Sequence, residues 1–258
     1  MSGFSTEAIL LKKLEYGDHD LILTFFTRSM GKITAIAKNA KKSVKRFSGS
    51  LDLFSVNHIQ CTYPKKKKDA LLVLSHADLE SPFEKIRLDI LNTSYACYWL
   101  EMVHSWLEEG KPQEPLYDLL LFALDALNSG SMPAPTISIL FQIRFMSISG
   151  FSPSITECAH CHTGLDEIQG QKVVFDFTEG TLVCPNCNHH PVKKGVTVSK
   201  GTLKQLFWIN TSDIHRADRI RFSAYAVREG EVLLESFIPF HIGRDLKSLQ
   251  FLKRIRTP

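Results

Sequence analysis

Leu21-Ile22-Leu23-Thr24-Phe25-Phe26-Thr27-Arg28-Ser29-Met30-Gly31-Lys32-Ile33-Thr34-Ala35-Ile36-Ala37-Lys38 decides the fold. Two short runs rich in β-branched and aromatic residues flank Ser29-Met30-Gly31, which reads as a hairpin closed by a glycine turn. The pattern repeats on either side. Strands are expected at roughly 6–14, 21–27, 32–38, 51–63 and 70–78, broken by Tyr16-Gly17-Asp18, Ser29-Met30-Gly31 and the segment from Pro64 to Asp69. Five strands within about eighty residues suit a small closed barrel, for which the OB-fold is the common solution and an SH3-like barrel the alternative. Leu21, Ile22 and Leu23 are all apolar, so the strand count is better defined than the register.

From Ser81 the period becomes helical. Ser81-Pro82-Phe83-Glu84 offers a serine N-cap, a proline in the first turn and a glutamate to close a capping box, predicting a long helix to about Glu109 before Gly110. A second helix follows Pro115, with Leu116, Leu120, Leu124 and Leu127 on one face, and a third covers about 136–149 before Gly150. Helical patterns resume at 199–209 and over most of 213–255.

Two cysteine pairs stand between these helical stretches, Cys158-Ala159-His160-Cys161 and Cys184-Pro185-Asn186-Cys187. The 22 residues separating them fit one hairpin, Val173 to Phe177 and Thr181 to Val183 around Thr178-Glu179-Gly180. Its closure would gather Cys158, Cys161, Cys184 and Cys187 around one tetrahedral ion, for which Zn2+ is the best match. Four protein ligands leave no position for water or substrate, so the expected role is structural. His160, His162, His189 and His190 are nearby alternatives as ligands. Cys61 and Cys97 lie in apolar segments and read as ordinary buried thiols. The expected class is therefore α+β multidomain: an N-terminal five-stranded OB-fold β-barrel (1–80), then an all-helical domain (81–157 and 191–258) interrupted by a four-cysteine zinc module (158–190).

The net charge of +4 hides an uneven distribution. Residues 1–80 carry 13 Lys and Arg against 8 Asp and Glu, and 191–258 carry 13 against 6, whereas 81–157 carry 4 against 9 and 158–190 carry 1 against 4. Between Leu21 and Leu51 there is no acidic residue, while Arg28, Lys32, Lys38, Lys41, Lys42, Lys45 and Arg46 supply positive charge and Phe47 an aromatic ring. Such a stretch could follow a phosphate backbone while the ring stacks on a base. Lys65, Lys66, Lys67 and Lys68 form an expected hairpin tip, which in an OB barrel borders the ligand face. Arg244, Lys247, Lys253, Arg254 and Arg256 could extend the surface, or only offset a helix dipole.

Catalytic signatures are missing: Gly31-Lys32 lacks Walker spacing, and no HExxH, GxSxG or glycine-rich dinucleotide fingerprint occurs. Glu15, Asp18, His19 and Asp20 read as turn residues. The expected protein is not an enzyme. No apolar run approaches the roughly 18 residues of a membrane span, and Met1 to Asp18 lacks secretory features. A soluble intracellular protein with no membrane partner is expected.

Along its whole length the chain resembles the bacterial recombination-repair mediator family RecO. The resemblance is carried by Ala8-Ile9-Leu10-Leu11, Tyr16-Gly17-Asp18-His19-Asp20-Leu21-Ile22, Phe26-Thr27-Arg28-Ser29-Met30-Gly31-Lys32, Ala37-Lys38-Asn39-Ala40-Lys41, Gly150-Phe151-Ser152-Pro153 before the first cysteine pair, the second pair, and Gly243-Arg244-Asp245-Leu246-Lys247-Ser248. Their order is more specific than any one of them. Asn39 departs from the family's usual glycine, and Leu249 from a frequent arginine. The resemblance implies a cytoplasmic, nucleoid-associated mediator of DNA repair that binds single- and double-stranded DNA and anneals complementary strands. It also implies contact with the acidic C-terminal tail of single-strand-binding protein and cooperation with RecR to load RecA. An acidic tail needs a cation beside an apolar pocket, and Arg144, alone in the apolar 136–149 helix, is the candidate. From another class, a zinc-ribbon transcription or translation factor could read nucleic acid through 158–190, although that module is acidic. A zinc hydrolase is the weakest alternative.

Overall fold

The computed structural model describes residues 3–47, 49–64, 71–188, 192–214 and 222–256. In chain order its elements are β1 (Gly3–Tyr16), β2 (Asp20–Thr27), β3 (Gly31–Ala37), α1 (Val44–Phe47), β4 (Val56–Thr62), β5 (Leu72–Ser81), α2 (Glu84–Arg87), α3 (Ile90–Trp106), α4 (Glu114–Ser129) and α5 (Ala134–Ile148). They continue with β6 (Ser154–Cys158), β7 (Lys172–Asp176), β8 (Thr181–Val183), β9 (Gly195–Ser199), α6 (Lys200–Thr211), α7 (Ala224–Ile242) and α8 (Lys247–Arg256). Two compact units result. Unit 1 is 1–129 together with 247–258, and unit 2 is 130–246. Among the described residues no helix is long and apolar enough to cross a membrane.

In unit 1 the first five strands close into a barrel in the order β1-β2-β3-β5-β4. All neighbours are antiparallel except β3 and β5, which pair in parallel through Ala35 with Leu72 and Ile36 with Val73. This is the OB-fold expected from the strand count. Along β3 burial alternates cleanly, with Ile33, Ala35 and Ala37 inside beside Leu10, Leu23, Phe25, Ile59 and Leu74. β2 does not alternate, because its outward Phe26 is also covered: the Tyr117 ring of α4 meets it edge-on at 5.3 Å. The expected strand 51–63 begins only at Val56. Phe54 takes a left-handed φ of 72°, and reciprocal backbone bonds between Leu10 and the 54–55 turn hold it there.

The helix predicted from Ser81 to Glu109 is broken. Ser81 ends β5, and the buried Phe83 adopts φ 45°, so α2 is a single turn without a side-chain cap. Arg87 braces the break by donating to the carbonyls of Pro82 at 2.7 Å and Leu53 at 2.9 Å. The true N-cap is Asp89, whose carboxylate accepts from Asn92 N–H at 2.7 Å to start α3. At the start of β3, Gly31 (φ 68°) lies so close to Lys111 that an added Cβ would stand 2.1 Å from its carbonyl oxygen. Gly110 N–H closes the contact by donating to the Lys32 carbonyl at 2.9 Å. Gly31→Ala is expected to cost about 2 to 4 kcal/mol, from left-handed strain plus the backbone clash, measured as a lowered denaturant midpoint.

Unit 2 builds a four-stranded sheet in the order β6-β8-β7-β9. The predicted hairpin is its β7–β8 pair, registered Val174 to Val183 and Phe175 to Leu182. The flanking strands β6 and β9 were not expected. Ser199, ending β9, caps α6 by accepting from Thr202 N–H, and Glu229 of α7 receives the hydroxyls of Thr202 at 2.6 Å and Tyr225 at 2.7 Å. Near the end of α7, His241 sits among Phe151, Phe237 and Phe240, with ring centroids 5.4, 4.2 and 5.4 Å away. Burial holds its pKa below the usual value, opposed by a hydrogen bond with the Phe177 backbone. A folded pKa below the unfolded one means this group stabilises above about pH 6.5, and its contribution falls as pH drops toward the folded pKa. The melting temperature of the protein should therefore fall between about pH 7.5 and about pH 5.5, and His241→Phe should flatten that dependence.

Candidate nucleic-acid interface and metal centre

The cross-strand registers of the barrel place an apolar row on its outer surface. Leu14 pairs with Ile22, Ile22 with Ile36 and Ile36 with Val73. The residues before and after Ile22, Ile36 and Val73 in their strands point inward or lie against the core, so these side chains face out. Leu14 is 48% exposed, and Tyr16, two residues further along β1, is 55% exposed. Lys12 flanks the row on one side and Lys38 on the other.

The segment after β3 folds back onto the β1–β2 turn. Asn39 takes the left-handed conformation (φ 54°, ψ 29°) open to glycine and tolerated by asparagine, and its N–H donates to Asp20 Oδ1 at 2.7 Å. The departure from glycine at this position thus keeps the turn. Lys41 N–H donates to the His19 carbonyl at 3.1 Å, and Lys41 Nζ to Glu15 Oε2 at 2.8 Å, which lowers the Glu15 pKa. Arg46 closes the loop through Nη2 to the Lys38 carbonyl at 2.6 Å and Nε to Ser43 Oγ at 3.0 Å, its guanidinium 4.8 Å from the Phe47 ring centroid. Lys38, Lys41, Lys42 and Lys45 are exposed around this scaffold.

The seven basic positions of the acid-free stretch do not form one face. Lys38, Lys41, Lys42, Lys45 and Arg46 share one end of the barrel. Arg28 and Lys32 are at the other, beside the β2–β3 turn. There Arg28 pairs with Asp118 at 2.6 Å, Glu114 at 3.2 Å and Glu7 at 3.5 Å and covers the Tyr117 ring, while Lys32 Nζ donates to the His104 carbonyl at 3.2 Å. Both side chains bind the barrel to its helices. Phe47 corrects a second expectation: it is 5% exposed inside the barrel core and has no face to offer a base. Tyr16 is an exposed ring at this end, and its even spacing from Leu14 along the strand was the signal that could have found it. Lys65, Lys66, Lys67 and Lys68 lie outside the described residues.

In unit 2, the sulfurs of Cys158, Cys161, Cys184 and Cys187 all lie within 4.8 Å of one another. Parallel pairing of β6 with β8, in which Cys158 meets Leu182, brings the knuckles together. Each knuckle is a turn: His162 N–H donates to the Cys158 carbonyl at 3.0 Å, and Cys187 and Asn188 N–H groups both reach the Cys184 carbonyl at 3.1 Å. Cys161 and Cys184 sulfurs are 3.8 Å apart, and ligands bound at about 2.3 Å to a tetrahedral ion would stand about 3.8 Å from each other. Cys158 and Cys184 are buried, Cys187 is half-buried and Cys161 is exposed. His162 instead faces Glu157 Oε1 at 3.4 Å, and His189 and His190 lie outside the described residues. Four soft thiol donors at this separation can hold a metal ion. Burial pushes the Cys61 thiol up to about 12, consistent with a packing residue.

Arg144, the candidate for an acidic tail, is engaged within its own unit. Its Nε and Nη2 donate to the Ile209 carbonyl at 3.0 and 2.8 Å, and Nη2 also reaches the Ser212 carbonyl. These carbonyls are among those left without partners at the end of α6, so Arg144 caps that helix. Leu249, where an arginine was the usual residue, is buried on the inner side of α8.

Comparison with known proteins agrees with this architecture. The chain matches the family model described as "Recombination protein O N terminal" over residues 1–83 and that described as "Recombination protein O C terminal" over 87–250. It is 42% identical over 256 residues to the DNA repair protein RecO of Desulfatibacillum aliphaticivorans, covering 99% of this chain and 98% of the relative. The RecO proteins of Desulfosudis oleivorans and Syntrophus aciditrophicus are 38% and 34% identical, with 99% and 97% of this chain covered and 99% and 95% of the relatives.

Proposed function

The chain belongs to the RecO family of DNA repair proteins, and from that premise we propose that it is a non-enzymatic mediator that binds single- and double-stranded DNA and anneals complementary strands. In this reading Lys38, Lys41, Lys42, Lys45 and Arg46 neutralise phosphates at one end of the barrel, Tyr16 stacks on an unpaired base, and Leu14, Ile22 and Ile36 form the floor. Lys65, Lys66, Lys67 and Lys68 are proposed as further phosphate contacts, on the general ground that OB barrels use the connection between their last two strands in ligand binding. The observation carrying the proposal is the outward-facing row bordered by lysines, with Leu14 and Tyr16 exposed and Ile22 and Ile36 half-buried, the combination that follows a single strand without reading its sequence. Annealing requires no bond chemistry: neutralising two phosphate chains lowers their repulsion and leaves complementarity to drive pairing.

The metal proposed for the four thiolates is Zn2+, which would supply folding energy to unit 2 and no step of the reaction. The partners proposed are RecR, the acidic C-terminal tail of single-strand-binding protein and, indirectly, RecA, in the bacterial cytoplasm. What supports them is the resemblance of the chain to that family. Annealing of complementary oligonucleotides, followed by loss of single-strand dye fluorescence, tests the central claim. Acceleration in the absence of any nucleotide cofactor is expected, and a requirement for ATP would refute it.

A further inference from the structure

The outward face of α8 carries a pattern that the barrel does not use. α8 lies along α3 within unit 1, with Leu249 and Leu252 buried. Its N-terminus is pinned by Glu101 of α3, whose carboxylate accepts from Lys247 N–H at 3.2 Å, from Ser248 N–H at 2.8 Å and from the Ser248 hydroxyl. That acid is thereby occupied on the backbone. Away from the buried leucines, Lys247, Gln250, Phe251 and Arg254 follow i, i+3, i+4, i+7 spacing and form one row. All four are exposed, Phe251 by 49%, and exposed Lys253 lies beside them. No acidic residue occurs in 246–258.

A ring exposed to water between two cations, one helical turn from each, suits a ligand that carries both negative charge and a flat apolar face. The apolar stripe that would insert into a lipid surface is already buried in unit 1, so a membrane is not what this face fits. A duplex would offer the cations its phosphates but nothing to the ring. An unpaired strand offers both: phosphates for Lys247 and Arg254, and a base face for Phe251. We propose that this face of α8 is a second lane for single-stranded nucleic acid, separate from the barrel. Seven residues of helix span roughly 10 Å, about three nucleotide steps at ~3.4 Å each. So short a lane is weak alone and acts by holding a second strand against a protein already carrying a first. The inference extends the annealing reading and rests on it for the class of ligand.

The test measures how many short oligothymidylate strands, six nucleotides long, bind the zinc-loaded full chain at low salt, by titration calorimetry. Two variants are compared, K38Q/K41Q/K42Q at the barrel and K247Q/F251A/R254Q on α8, each checked by circular dichroism for an unchanged fold. The wild type is expected to bind two strands and each variant one, and energy transfer between two non-complementary labelled strands is expected to disappear in both. A helix variant that still binds two strands overturns the proposal. If it does so while the barrel variant binds one, the barrel reading stands alone. If instead the barrel variant binds two and the helix variant one, the barrel assignment fails and α8 survives. Binding of polyglutamate that depends on Lys247 and Arg254 but not Phe251, with a single strand bound, would assign the face to an acidic protein and also overturn the proposal.

Discussion

Charge reversal of Lys38, Lys41 and Lys42 together is expected to lower affinity for single-stranded DNA about a hundredfold near 0.05 M salt and to flatten the log–log salt dependence by about 2. Each phosphate contact on a single strand contributes roughly 0.7 to that slope, so three lost contacts give about 2.1. A hundredfold is about 2.7 kcal/mol, or about 0.9 kcal/mol per lysine, a reasonable value for exposed charges. Lys32→Gln is the informative companion. Its ammonium is held by the His104 carbonyl at the other end of the barrel, so the slope should not change. Fluorescence anisotropy of labelled oligothymidylate across a salt series measures both. An equal loss from Lys32→Gln would mean that the two ends act as one surface.

Serine at Cys158 and Cys184 is expected to abolish stoichiometric zinc and to melt unit 2 at ordinary temperature. Structural zinc contributes about 10 to 16 kcal/mol in small peptides, and a whole domain is stable by only about 5 to 15 kcal/mol. No other crosslink is available to compensate: the cysteines are free thiols, and Cys61 and Cys97 belong to unit 1. Metal content by atomic emission and a calorimetric scan check the result. Affinity for single strands should survive, because the proposed lanes both belong to unit 1. Loss of DNA binding on chelation, with the barrel's transition intact, would overturn the assignment of zinc to a structural role.

The barrel was legible because β3 alternates residue by residue and Gly17 and Gly31 mark the first two turns, whereas the start of β4 was misplaced because Phe54, not a turn residue by type, makes the turn there. Its basic end was only half legible. Arg28 and Lys38 are close in sequence, yet seven residues of strand at about 3.3 Å per residue put them some 20 Å apart. A charge run that crosses a strand therefore reports two surfaces as one. Phe47, expected to offer a ring, is buried, and Tyr16, read only as part of a turn, is exposed, for a related reason: burial depends on which side of the closed sheet a residue meets, and sequence gives that only once register is known. The break at Phe83 was hidden because Ser81-Pro82-Phe83-Glu84 is a sound helix start by local rules, and only burial of the Phe83 ring overrides it. β9 had a readable signal in Val196-Thr197-Val198, obscured by the helix that begins at once after Ser199.

The Glu101 clamp on α8 has a consequence for biosynthesis. Unit 1 is assembled from two stretches of chain, and the second emerges from the ribosome only after all of unit 2 has been made. During translation α3 must wait with its leucine-facing side uncovered for 117 intervening residues, some ten seconds at roughly 5 to 20 residues per second. A nascent chain arrested before Lys247 should accordingly engage holding chaperones through α3, and release them once α8 has docked.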